Sequence, residues 1–212
     1  MLRREASPLY GRRLGAALSL PVRARRAEDF EALVTLWPCH SKLGETGEEL
    51  ETTWEAMFDV FLARRPFRGQ FHHPGWSPAV FAPCVRMAGN VRAITALVLR
   101  FDGRSGVTLD AVRALWGDLY GAIYTTASHT PAAHDFVMVL PCRRPVGRAE
   151  HSRLAQWAEQ LLENSRCLPH GNEAARFFYL PGTRPGEPFI AERLGTRVLD
   201  PDAVLRGERS GR

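Results

Sequence analysis

Lysine is nearly missing from this sequence: Lys42 is the only one among 28 lysine and arginine residues. The net charge of +5 therefore rests on arginine, whose planar guanidinium presents a two-pronged fork to phosphate or carboxylate oxygens. A GC-rich coding bias produces the same preference, so the charge permits a polyanionic partner without demanding one. Long apolar runs are also missing. None approaches the ~18 residues that cross a bilayer as a helix, so no membrane-spanning helix and no membrane partner are expected.

Cysteine is sparse. Cys39, Cys84, Cys142 and Cys167 are widely spaced and form no CxxC, which argues against a zinc ribbon or a disulfide framework and for reduced thiols in a cytoplasmic protein. Cys167 and His170 have a metal-like spacing, but two residues make half a site. There is no internal repeat, P-loop or helicase motif, so any unwinding of a duplex falls to a separate helicase. The stretch "LYGRRLGAALSLPVRARRAEDF" sets paired arginines before about nine apolar residues in the manner of an export signal. A second arginine cluster closes it, and residues 1–26 read instead as a basic, poorly ordered leader.

What remains supports a full core: 45% hydrophobic residues over a length of 212 suit one domain, placed at 27–204 with a short tail at 205–212. Residues 46–65 predict a helix and with it an α-rich N-terminal flank. Thr46 and Glu49 form a capping box, and Leu50, Trp54, Met57, Phe58, Phe61 and Leu62 recur at helical spacing. "RRPFRGQFHHPGWSPAVFAP" has neither period and predicts a structured loop. Trp76 and Phe81 within it suit either stacking on bases or packing that pins the loop down.

From residue 93 the pattern is regular. "AITALVLRFD" predicts a strand, and "TLDAVRALWGDLY" a helix capped by Thr108 with Val112, Leu115 and Trp116 inward. "GAIYTTAS" and "DFVMVLP" predict two more strands. "RAEHSRLAQWAEQLLEN" is a second helix with Leu154, Trp157, Leu161 and Leu162 on one side, and "RFFYLP" a fourth strand. This βαββαβ order over about 91–182 predicts an α+β fold with an RRM- or ferredoxin-like sheet, strand order 4-1-3-2, both helices on one face. Strand alternation puts Leu97, Leu99 and Phe101 on the helix-covered face and Arg100 and Asp102 on the other. The same topology gathers Asp102, Ser128, His129, Asp135, Glu173 and Arg176 along one sheet edge.

Six stretches, "HPGWSPAVF", "NVRAITALVLRFDG", "IYTTASHTP", "FVMVLPCRRPV", "ARFFYLPG" and "GTRVLDPDAVL", follow one another as in the archaeo-eukaryotic primase superfamily. Over residues 72–204 the chain resembles its plasmid- and phage-type primase-polymerase replication proteins. The resemblance implies template-directed nucleotidyl transfer in DNA replication, on single-stranded or primer-template DNA, with nucleoside triphosphates and magnesium or manganese. By it Asp102 matches the second acid of a DxD pair, His129 in "ASH" the phosphate-binding histidine, and Glu173 the third acid. Asp102, His129 and Glu173 are then the catalytic set, and Ser128, His129, Arg176 and Arg100 the phosphate contacts. Asp102 and Glu173 are the metal ligands, with Asp135 as a substitute ligand or an exposed strand-start aspartate. His129 also reads as a turn residue, and Arg176 as a strand-edge charge.

One position departs from the pattern. Arg100 stands where the first acid of DxD belongs, and a guanidinium there repels a divalent cation and pairs with a neighbouring carboxylate, expected to be Asp102. Two readings of different class follow: a nucleotidyltransferase, or a catalytically degenerate relative that binds DNA or nucleotide. An unrelated metal-dependent phosphoesterase is a third.

Overall fold

The computed structural model describes residues 31–39, 47–162 and 173–207. Thr46, the Cys167 and His170 pair and the basic leader lie outside the described residues.

Among the described residues the N-terminal flank is not α-rich. Strands β1 (Glu31–Trp37) and β2 (Glu48–Thr53) form an antiparallel pair in which Val34 faces Leu50, and helix α1 (Trp54–Leu62) starts only after them. The cap of α1 is Thr53, whose Oγ1 accepts the Ala56 N–H at 3.2 Å. Thr53→Ala should therefore cost about 1 kcal/mol, readable as a lower urea midpoint at unchanged slope. The segment expected to be a loop contributes two short strands, β3 (Gly75–Ser77) and β4 (Ala79–Phe81). Trp76 and Phe81 are buried in them, which settles both as packing residues.

The regular region follows its periodicity: β5 (Val91–Phe101), α2 (Leu109–Trp116), β6 (Ala122–Thr125), β7 (Phe136–Val146) and α3 (Arg148–Leu161). Thr108 caps α2, its Oγ1 accepting the Ala111 N–H at 3.2 Å. Two helix positions differ from expectation. Leu115 and Leu161 lie on the outer faces, at 41% and 40% exposure, while His151 and Ala158 take inward positions on α3. The chain then forms β8 (Phe178–Tyr179), β9 (Ala191–Arg193) and the short α4 (Pro201–Leu205), capped by Asp200.

Among the described residues nine strands make two antiparallel sheets, ordered β2-β1-β3-β8 and β4-β5-β7-β6-β9. The expected neighbours 1-3-2 appear as β5-β7-β6, but the fourth predicted strand does not join them. β8 pairs with β3 in the other sheet, because β4 already covers the free edge of β5. The ferredoxin-like arrangement thus gives way to a mixed α+β fold in three layers. Helices α2, α3 and α4 cover one face of the five-stranded sheet around Leu97, Leu99, Phe101, Phe136 and Met138. The four-stranded sheet and α1 cover the other face, around Ala96, Val98, Tyr124, Val137 and Val139.

Alternation along β5 is as the sequence predicts, yet the face carrying Arg100 is not open. It looks toward the second sheet, and a hydrogen-bonded chain ties the two sheets together beneath it. The Trp76 indole N–H donates to the Tyr124 hydroxyl at 3.1 Å, which donates to the Tyr179 carbonyl at 3.0 Å. Burial pushes the Tyr124 hydroxyl pKa well above the ordinary tyrosine value, so this link stays protonated.

Candidate functional site

Beyond that link the two sheets part into a cleft of about 540 Å³, within the usual range for a small-molecule site. One wall comes from the five-stranded sheet and its β6–β7 turn: Arg100, Thr126, Ser128 and Val137. The other comes from the loop after α1 and from the stretch around β8, with Phe67, Gln70, His73, Phe177, Tyr179 and Arg184 among its residues. Among the described residues no aspartate or glutamate lines it, while two arginines do.

Arg100 does not pair with Asp102. Its Nη2 donates across the strand pair to Asp135, at 3.2 Å to Oδ2 and 3.5 Å to Oδ1. Register explains the choice: Arg100 lies opposite Val137, so Asp135, two residues before Val137 and just ahead of β7, is its diagonal neighbour. Asp135 is 95% buried and accepts a second bond from the Thr126 hydroxyl at 2.7 Å. It is therefore neither an exposed strand-start residue nor free for a metal. The Thr126 hydroxyl in turn accepts the Ser128 N–H at 3.2 Å, which fixes the turn that carries Ser128 into the cleft.

His129 is buried in that turn, and its Nδ1 accepts the Asp135 N–H at 3.3 Å. The remaining proton of the neutral ring then sits on Nε2. Burial and the neighbouring His134 hold the His129 pKa below its ordinary value, against the opposing pull of Asp135 and Glu187. His134, whose ring meets His129 edge-on at 5.4 Å, accepts the Leu109 N–H at 3.3 Å.

Asp102 turns to its own loop. Its Oδ1 accepts the Arg104 N–H at 3.0 Å, and its carbonyl accepts the Ser105 N–H at 3.0 Å. Glu173 is 59% exposed and pairs with Arg86 at 3.5 Å. It borders a separate narrow crevice beside His151, Val98 and Arg176, and so stands apart from the cleft that holds Arg100 and Ser128. Arg176 is half-buried over the Phe178 ring at 5.9 Å, and its pKa is lowered by burial and by the charge of Arg100.

These carboxylates do not converge on one point as a divalent-cation site would require. Asp135 is bound by Arg100 and Thr126, Asp102 by its turn and Glu173 by Arg86. Among the described residues no three His, Cys, Asp or Glu come together as a ligand set. The Arg100 guanidinium against Asp135 adds repulsion there.

Several lining residues went unrecognised in the sequence. His73 joins the outer wall to β8: its Nε2–H donates to the Leu180 carbonyl at 2.9 Å, and its Nδ1 accepts the Arg68 N–H at 3.4 Å. Burial lowers its pKa, which keeps the ring neutral as that bonding pattern requires. Its only signal was the "HHPGW" stretch. Arg184, in "GTRPG", gave none.

No family model matches the chain, and no curated protein is significantly similar to it. Among the described elements no helix is long and apolar enough to cross a membrane. Among solved structures the chain is similar to the AEP domain of the cyanophage S-2L primase-polymerase (PrimPol), with a TM-score of 0.46 and 14% identity over 90% of this chain and 94% of that one.

Proposed function

We propose that the cleft between the sheets binds nucleotide or single-stranded nucleic acid through its phosphates, as a primase-related replication protein that has given up the metal-dependent site. The observation that carries this reading is the lining itself: Arg100 and the Ser128 hydroxyl on one wall, Arg184 with the aromatic rings of Phe67, Phe177 and Tyr179 on the other, and no carboxylate among the described residues. Arginine forks suit phosphate oxygens, and aromatic faces accept any base.

Anisotropy of a labelled single-stranded oligonucleotide across a salt series tests this. Log affinity should fall with log salt by about 0.7 for each phosphate contact, and Arg184→Ala should lower that slope by about one contact. A slope near zero rules the reading out.

A second reading, template-directed nucleotide addition with magnesium or manganese, draws on the run of primase-like stretches and on Asp102, whose Oδ2 makes no hydrogen bond among the described residues. Incorporation of labelled nucleotide in manganese by the wild-type chain selects it over binding alone.

A further inference from the structure

The cleft carries its own fixed cation. Arg100 commits only Nη2 to Asp135, so Nε and Nη1 make no hydrogen bond among the described residues, and Nε is buried without a partner. The guanidinium is held from behind by a buried carboxylate that is itself anchored by Thr126. It lines the cleft, and its field reaches the Tyr124, Tyr179 and Arg176 groups around it. An arginine keeps its charge at any pH the protein survives.

We propose that Arg100 takes the place of a divalent cation here, so that the cleft binds the phosphates of a nucleoside triphosphate without metal. This rests on the nucleotide reading above. Three features point the same way. The carboxylate that would otherwise serve a metal neutralises and orients Arg100 instead. Among the described residues no carboxylate lines the cleft to recruit one. Nη1, which makes no hydrogen bond among the described residues, leaves the guanidinium a charged donor for a phosphate oxygen. Magnesium should then hinder rather than help, because a magnesium-bound triphosphate carries two fewer negative charges toward a cationic wall.

Calorimetric titration of ATP into the full chain tests this, once in EDTA and once in excess magnesium chloride. The affinity in EDTA should equal or exceed that in magnesium. Arg100→Ala should weaken binding roughly tenfold or more in both buffers, through loss of charge-assisted bonds. That variant leaves Asp135 buried without its partner, so melting curves accompany it. If it does not fold, Arg100→Lys carries the comparison: the charge remains, but a single ammonium cannot pair with Asp135 and reach phosphate at once as the spread guanidinium can, so binding should weaken and stay indifferent to metal. Arg100→Asp should bind ATP only when magnesium or manganese is supplied.

Wild-type binding that is tenfold or more weaker in EDTA overturns the internal-cation proposal and leaves the nucleotide reading standing. Arg100→Lys as tight as wild type, or Arg100→Asp indifferent to EDTA, overturns it equally. If neither ATP nor oligonucleotide binds in either buffer, the nucleotide reading falls and takes this one with it.

Discussion

Gly75→Ala should lower the melting midpoint by roughly 6–12 °C, the shift that about 3 kcal/mol produces in a chain of this size. A Cβ at Gly75 would lie 2.1 Å from the Phe177 ring and 2.5 Å from the Phe178 carbonyl oxygen. The ring can swing aside, but the carbonyl cannot move without parting β3 from β8, where Gly75 pairs with Tyr179 and Trp76 with Phe178. The damage should extend to function, because Phe177, Tyr179 and Leu180 form one wall of the cleft. Nucleotide or oligonucleotide affinity should therefore fall along with stability. Gly89→Ala is the control: nothing lies within 4 Å of its Cβ, so it should change stability by less than about 0.5 kcal/mol. Equal melting curves for the two variants contradict the clash.

The second large effect concerns acid. His151 is 3% exposed on the inner side of α3, its Nδ1 has no partner among the described residues, and burial lowers its pKa to about 4. Glu173 and Arg176 are the charged groups beside it in the crevice. Because the folded pKa lies below the unfolded value of 6.5, the unfolded chain takes up the proton first as pH falls. The stability that His151 supports is whole above pH 6.5 and drains away down to about pH 4, by roughly 3 kcal/mol for a shift of this size. His73 and His129, also lowered by burial, push in the same direction. His151→Leu removes both the titration and the orphaned nitrogen. Urea unfolding between pH 7 and pH 4 should show wild type and variant close at neutral pH and the variant more stable in acid. Parallel pH profiles would sink the assignment.

How much of this was legible follows from the lengths of the elements. β5, α2, β7 and α3 each run for at least eight residues and stand on the segments their patterns marked, although α2 stops at Trp116, short of the expected Tyr120, and β7 runs on to Val146, past the expected Pro141. Residues 48–53 mislead because "EELETT" is rich in helix-forming glutamate and Leu50 falls in helical phase with Trp54. Pairing with β1 overrides that preference, since the strand then covers an otherwise bare edge. β3 and β4, of three residues each, are too short to show any period. Strand β8 was visible as a strand, but which sheet it joins depends on β4 having occupied the edge of β5 first in space.

The site divides along the same line. Side chains alternate along any strand, so the sequence alone determined that Arg100 leaves the helix-covered face while Leu97, Leu99 and Phe101 stay on it. Alternation is local and survives whatever the strand packs against. Only the tertiary structure decided that Arg100 reaches Asp135, 35 residues away, rather than Asp102. It alone decided that Glu173 belongs to a different crevice, and that the second wall of the cleft comes from residues around His73 and Tyr179. Those outcomes hang on strand register and on which sheet each strand joins, and both are set by the burial of whole faces rather than by any neighbouring residue.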